Sequence, residues 1–437
     1  MKLSLALNRK GFSLVELLIV MAMFIIVIII ASDAFNRIIT NSRKLAQSEE
    51  SNIEGVIGLE MMRHDIEQAG YGLPWVPMSF TNDMVYFQDS PTPQVFPTYK
   101  ECGLSLHRNF NDGAPSPLGY IGAPRPIVTG NNLAAASGTY NILANTDYLA
   151  IKAASLGRSN ASKRNTYIGY SSVNGVPIAK EPKRWPAASD NIPNGNSVII
   201  INREADANTP STLVAKLKYS TATPIPANYH YQAFPSPGNA FPLVVSPDKP
   251  QDLHIVYGID DGSAWMPFNR VNYFVARPSN VAKIPQGCPT SIGNLYKASV
   301  DHADGGLTYM PVLDCVADMQ IVLGWNFGAE KPENTSVVDT YSNADGSIVS
   351  SSVGVLASQV QLALANATTL RRSLKLVKVY VLAMEGKKSA DYTSPSPIVV
   401  GGDGEAILTK SFDIAAAGLS NYRWKVYRII SRPKNIL

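Results

Sequence analysis

From Phe12 to Ala31 the chain is apolar with a single ionisable interruption, Glu16. Twenty residues at ~1.5 Å each span ~30 Å, the thickness of a bilayer core, so this run predicts a membrane-spanning helix. The helical pattern continues without proline from Ser32 to Ala69. Phe35, Ile38, Leu45, Ile53, Val56, Ile57, Met61 and Ile66 recur there at helical spacing and trace one broad apolar face. Gly70-Tyr71-Gly72-Leu73-Pro74 ends the pattern with glycine and then proline, which predicts a single helix of about 55 residues, roughly 80 Å long. Such a length suits one half in lipid or in a filament core and the other half packed on a sheet. Gly55 and Gly58 read as weak points where the helix bends or frays.

Beyond the helix, the period of the pattern drops to two. Val198–Asn202, Leu213–Tyr219, Leu253–Ile259, Val271–Ala276, Leu295–Val300, Met319–Trp325, Leu374–Leu382 and Tyr422–Ile430 are rich in β-branched and aromatic residues with alternation, and predict strands. Leu374–Leu382 has two mostly apolar faces, as a central strand requires. From Trp75 to about Ser197 the chain is dense in Pro, Gly, Asn and Ser; Met84–Gln88 and Asp147–Ala153 are its better strands, and Ser159–Asn196 reads as a loop-rich insertion. No repeat of fixed period is present. The expected fold class is α+β: a long N-terminal helix packed on an antiparallel sheet, with large loop insertions between residues 75 and 250.

The lone carboxylate changes the reading of the span. A secretory signal peptide has a shorter apolar core and a small-residue cleavage site after it, which this run lacks. A plain anchor has the length, but a carboxylate at the centre of a span costs about 2.5 to 3.5 kcal/mol, less near the interface. Glu16 therefore needs a cation, and none lies one turn away in its own helix, which points to a partner on another chain. Lys2, Arg9 and Lys10 precede the span and keep that end cytoplasmic; Arg37, Arg43 and Lys44 weaken the asymmetry without reversing it. Residues beyond about 32 are expected outside.

The string Gly11-Phe12-Ser13-Leu14-Val15-Glu16-Leu17-Leu18-Ile19-Val20 behind a basic leader resembles the class III signal of type IV pilins and type II secretion pseudopilins. The resemblance implies removal of residues 1–11 by a prepilin peptidase between Gly11 and Phe12, and N-methylation of Phe12. It also implies that Glu16 pairs with the terminal amino group of a neighbouring subunit. Residues 12–31 would then be the transmembrane half of the helix, 32–70 its periplasmic half and 71–437 the pilin head. Met62-Arg63-His64-Asp65-Ile66-Glu67-Gln68-Ala69-Gly70-Tyr71-Gly72 resembles the end of the long helix in PilW-type minor pilins. Pro311–Gln320 and Tyr422–Arg428 resemble core segments of the same proteins and of the related J-type minor pseudopilins. By that resemblance the chain is a minor pilin helping to initiate or cap a pilus, with other minor pilins, the major pilin, the inner-membrane assembly platform and a tip adhesin as partners. Two alternatives stand beside it, a minor pseudopilin of a type II secretion system and a tip adhesin or DNA-uptake subunit. The location implied is the inner membrane, head in the periplasm, then the pilus tip at the cell surface.

Composition adds limits. The chain has 437 residues, 45% hydrophobic and 16% charged, with 30 Pro, 31 Gly and 20 Tyr, as a loop-rich extracytoplasmic protein has. Its net charge of +4 is too small for a nucleic-acid footprint. An oxidising compartment lets Cys102, Cys288 and Cys315 pair; the turn-like Gly287-Cys288-Pro289 and the strand-like Leu313-Asp314-Cys315-Val316 favour Cys288 with Cys315, leaving Cys102 as a thiol or an alternative partner. His64, His107, His230, His254 and His302 are scattered, and no nucleophile elbow, HExxH or Walker loop accompanies them, so no enzymatic activity and no obligate cofactor are expected. Asp301 and Asp304, before Gly305-Gly306, and Asp260-Asp261-Gly262 offer carboxylates at bending backbone, the pattern Ca²⁺ exploits, although turn chemistry explains Asp-Gly pairs more cheaply. Gly401-Gly402-Asp403-Gly404 reads as a turn or loop, and Trp265, Phe268, Tyr273 and Phe274 as core.

Overall fold

The computed structural model describes residues 13–75, 124–133, 140–173, 176–205, 213–218, 232–241, 254–262, 268–285, 287–302, 307–328, 336–401 and 410–436; the side chains of 43–54, 170–179, 203–205 and 213–218 fall outside that description. Met84–Gln88, Cys102, His107, His230, Trp265, Asp304 and Gly402–Gly404 also lie outside it. The chain divides into two units, Met1–Ile53 and Glu54–Leu437. One element crosses the division, α1 (Leu14–Gln68), 55 residues long. Its end follows from the backbone: Gly70 and Gly72 take φ of +86° and +68°, which a residue with a Cβ resists.

The second unit is β-rich and antiparallel throughout. In chain order its strands are β1 (Ile127–Gly130), β2 (Tyr140–Ile142), β3 (Tyr148–Ala153), β4 (Asn165–Val173), β5 (Val176–Pro182), β6 (Ser197–Ala205), β7 (Leu213–Lys218), β8 (Gln232–Ala233) and β9 (His254–Asp260). They continue with β10 (Asn269–Pro278), β11 (Gly293–Val300), β12 (Leu307–Trp325), β13 (Thr340–Asn343), β14 (Ile348–Ser351), β15 (Leu374–Glu385), β16 (Ile398–Val400), β17 (Lys410–Phe412) and β18 (Arg423–Ser431). The large sheet runs β1-β3-β10-β11-β12-β13-β14, with β2 on β10 and with β15 on β12 followed by β18. Its axis is β12, whose first half pairs with β11 and whose second half sits between β13 and β15. A register shift between Val316 and Asp318 lets the strand change partners. β15 is central, as its two apolar faces require, and all but its last residue are buried.

The expected loop-rich stretch Ser159–Asn196 holds a hairpin instead, β4 on β5, which belongs to a second sheet ordered β5-β4-β9-β6-β7 with β8 on β6. This sheet has its own core of Ile168, Ile192, Val198, Ile200, Phe234, Phe241 and Val256. Two short helices also lie beyond the sequence reading, α2 (Ala357–Ala365) and α3 (Ala367–Ser373). Asn366 separates them by accepting the N–H groups of Thr368 and Thr369 at its side-chain oxygen, 2.9 and 3.0 Å, as a helix N-cap does.

The main core lies between the C-terminal part of α1 and the large sheet. Leu59, Met62, Ile66 and Ala69 pack with Met319, Ile321, Leu323 and Trp325 of β12 and with Val377, Val379 and Val381 of β15, alternate residues sharing one sheet face. The sheet-facing side of α1 is thus 55, 58, 59, 62, 65, 66 and 69, which corrects the face traced from hydropathy: of those eight residues, Val56 and Ile57 point to solvent and Ile66 points to the core. The glycines are corrected with it. A Cβ on Gly58 would lie 2.2 Å from the Val312 carbonyl oxygen, and one on Gly55 2.9 Å from the Leu313 Cδ1, so these residues are where the helix comes closest to β12.

Candidate functional site

The N-terminus of α1 is set by local chemistry. Ser13 precedes the first helical residue, and Glu16 is the third residue of the helix, the Ser-x-x-Glu spacing of a capping box. The Glu16 carboxylate reaches back so that the Ser13 N–H donates to its Oε2 at 3.4 Å, while the Leu17 N–H donates to the Ser13 carbonyl at 3.2 Å. The carboxylate is thereby oriented at the helix start with a dipole to meet, and among the described residues no cation pairs with it. Leu14–Ser42 is a 29-residue stretch long and apolar enough to cross a membrane, and none of its most apolar window is buried. Arg37 pairs with Asp33 at 3.0 Å one turn apart, marking the return of polar side chains. Gly11 and Phe12 lie outside the described residues.

The structure has a helix long and apolar enough to cross a membrane, with one carboxylate turned to its own amino end, and an antiparallel β-rich unit. Residues 7–32 match the prokaryotic N-terminal methylation motif. Residues 7–32 carry a class III prepilin-like signal, which supports a type IV pilin or pseudopilin-like protein and implies processing by prepilin peptidase and assembly with other pilins. No curated protein matches the chain, and no solved structure does.

At the other end of α1, a buried polar set fixes the helix to the head. Asp65 faces the sheet, and its Oδ2 accepts from the Tyr273 hydroxyl at 2.6 Å and from Lys297 Nζ at 2.5 Å. Tyr273 and Lys297 are directly opposed on β10 and β11, so one carboxylate ties both strands to the helix. Burial first, and the adjacent Asp65 charge second, push the Tyr273 hydroxyl well above its ordinary pKa. Tyr71 then packs edge-on against Tyr257 at 5.1 Å, and Asn165 Nδ2 donates to the Tyr71 hydroxyl at 3.0 Å, joining the helix end to the second sheet. The Asp65-to-Gly72 segment owes its composition to these contacts. The aspartate was visible in the sequence; its partners, more than 200 positions away in the chain, carried no local signal.

Cys288 and Cys315 are joined by a disulfide, Cα atoms 5.3 Å apart, which staples the loop before β11 to β12; a bridge of this kind contributes about 2 to 4 kcal/mol. His302 is buried, its Nε2 2.9 Å from the Asn269 Oδ1; because the Asn269 amide donates to the Ala154 and Ile259 carbonyls, that oxygen accepts and His302 carries its proton on Nε2. Burial lowers the His302 pKa against the pull of Asp260 and Asp301. The Asp261 carboxylate accepts the Ala161 N–H at 3.1 Å and the Asn196 amide at 2.8 Å, and Asp260 accepts the Gly262 N–H at 3.2 Å. The Asp260 bond closes the turn itself, whereas the Asp261 bonds tie the turn to distant parts of the second sheet's lobe. Among the described residues no group of three or more His, Cys, Asp or Glu side chains is placed to hold a metal ion.

A second buried carboxylate pair gives the head a pH dependence. Asp147 accepts the N–H groups of Asn132 and Ile321 at 2.8 and 2.7 Å; Asp318 accepts from Gln320 Nε2 at 2.9 Å and from Lys410 Nζ at 3.1 Å. Burial pushes Asp147 up to about 7, helped by the charge of Asp318 and opposed by the two N–H groups and Lys410. Burial raises Asp318 too, against the pull of Lys410 and Gln320. Both groups hold a proton more tightly folded than unfolded, so their contribution to stability is full below about pH 4 and is lost as pH rises through each folded pKa, about 7 for Asp147, with a slope of up to about 1.4 kcal/mol per pH unit for each proton released. Urea midpoints measured across that window should fall with rising pH, and Asp318→Asn should flatten the fall. An unchanged slope in the variant would show that this pair does not set it.

Proposed function

We propose that the chain is a minor pilin that helps initiate or cap a type IV pilus at its tip, a structural role with no catalytic step. The observation that supports this most is the size of the head carried by one α1: among the described residues, a large sheet of ten strands, a second of six and a ribbon of two. Repeated along a shaft, such heads would crowd, whereas a tip position holds few copies. In the inner membrane the apolar half of α1 is stored in lipid. On assembly these halves pack against one another, and Glu16 neutralises a neighbour's terminal ammonium in a low-dielectric core, which sets axial register. The segments 62–72, 311–320 and 422–428, similar to those of PilW-type minor pilins, favour a pilus over a secretion pseudopilus.

The test has two parts. Mass analysis of the amino terminus should find N-methylated Phe12 when prepilin peptidase is present, and an intact Met1 in its presence would overturn the reading. Deletion of the gene, scored separately for surface pili and for exported enzymes, should remove pili and spare secretion. The reverse result would assign the chain to a secretion system, and loss of adhesion or DNA uptake with normal pilus numbers would make it a tip binding subunit.

A further inference from the structure

The lobe built on the second sheet has a charge imbalance that the rest of the chain lacks. Residues 158–185 hold six cationic side chains and one carboxylate, a net charge of +5 where the whole chain carries +4. Some of these ions have a structural task. Glu181 pairs with Arg184 at 3.1 Å, the Arg184 guanidinium also lies over the Phe234 ring, and Arg164 donates to the Asn191 carbonyl at 2.8 Å. Lys163, Lys180 and Lys183 are exposed, and among the described residues no carboxylate pairs with any of them. The next acid along the chain, Asp190, accepts from the Ser189 hydroxyl at 3.0 Å and offsets one of the three.

Two large rings stand beside these lysines. Tyr167 lies on the face of β4 opposite to Ile168 and the lobe's core, and it is 37% exposed. The Lys183 N–H donates to the Tyr167 carbonyl at 2.9 Å and the Trp185 indole N–H to the Asn165 carbonyl at 3.1 Å, so the chain leaving β5 runs alongside the start of β4. Trp185, 36% exposed, is thereby set edge-on to Tyr167, ring centroids 6.3 Å apart and planes at 71°. A lone exposed ring is ordinary. Two in contact beside unpaired lysines make a surface for a partner that is anionic and has apolar faces.

The angle between the rings selects among anionic polymers. Successive bases of a nucleic-acid strand use aromatic rings as stacking platforms, and two rings at 71° cannot both receive parallel bases. A sugar ring has C–H faces that pack on one aromatic plane while its outer groups reach past the edge of the next. Carboxylates repeated along such a chain then meet Lys163, Lys180 and Lys183. We propose that this face of the lobe binds an acidic polysaccharide, with Tyr167 and Trp185 as the platform and the three lysines as its charge partners. Binding there does not depend on which filament the chain serves and needs only a head outside the cytoplasm.

The test uses the full-length chain in neutral detergent, passed over immobilised polygalacturonate and, as the uncharged comparison, dextran. Saturable binding to polygalacturonate alone is expected, and it should fall steeply as salt is raised to about 0.5 M. Lys163→Ala combined with Lys183→Ala should weaken it about tenfold; neither ammonium pairs with a carboxylate, so the fold should survive. Trp185→Ala should weaken it to a similar extent and Trp185→Phe, which keeps a ring, much less. Lys387→Ala with Lys388→Ala, exposed lysines beyond β15, should leave it unchanged. Equal losses from the two lysine pairs would reduce the binding to net charge and overturn the site, and an unaltered Trp185→Ala would overturn the platform. Tighter binding of oligothymidylate or of phosphatidylglycerol vesicles through the same lysines would overturn the polysaccharide in favour of nucleic acid or an anionic membrane. No binding to polygalacturonate would overturn the proposal outright, while the methylation and filament tests of the assembly role would stand as they are.

Discussion

Glu16→Ala is expected to abolish surface filaments that depend on this chain, while the protein itself still accumulates in the inner membrane. The carboxylate is held at the start of α1, where it accepts the Ser13 N–H. In the proposed assembly, cleavage after Gly11 gives each subunit a new ammonium, and each pair brings one carboxylate and one ammonium into a region without water. Leaving a buried charge without its partner costs about 3 to 5 kcal/mol, enough to shift a subunit contact by a hundredfold or more. Glu16→Gln keeps shape and a weaker hydrogen bond, so an intermediate phenotype is expected. The measurement is the ratio of sheared filament to membrane-bound protein by immunoblot. Wild-type filament yield from the alanine variant would remove Glu16 from assembly.

The largest effect within the head is expected from Asp65→Ala. Its carboxylate satisfies Tyr273 and Lys297 together, and the Lys297 side chain is 13% exposed. Without Asp65 that ammonium is left almost dry and unpaired, at a cost of about 3 to 5 kcal/mol. Asp65→Asn retains an acceptor for the Tyr273 hydroxyl and should cost less. Thermal unfolding followed by tryptophan fluorescence separates the two, since Trp325 lies in the same core. A loss below about 1 kcal/mol in the alanine variant, the size of an average substitution, would mean that the ion pair does not hold the helix.

The sequence showed most clearly what is encoded locally. The lone carboxylate of Glu16 in the apolar run, the glycine stop at Gly70 and the doubly apolar run of β15 are each legible within a few residues. The β4–β5 hairpin escaped because Gly169, Pro177 and Pro182 dilute its alternation, and because it is completed by β9, far along the chain. α2 and α3 are too short to establish a helical period. The face of α1 was misread for a different reason: hydropathy weighs Val56 and Ile57 and ignores glycine, yet Gly55 and Gly58 admit β12 to the helix. The candidate site divides in the same way. Glu16 stood out because nothing near it is charged, whereas the partners of Asp65 are defined only by the fold.

The second sheet has one more consequence. It is inserted between β3 and β10, and the last residue of β3, Ala153, is the cross-strand partner of the first residue of β10, Asn269. Residues 154–268 therefore leave and re-enter the large sheet through a single doorway, latched by the Asn269 amide on the Ala154 and Ile259 carbonyls. A tight turn in their place would close the same ladder without moving any other strand. The lobe can therefore change in size, or be replaced by a turn, without altering the register of β3 on β10.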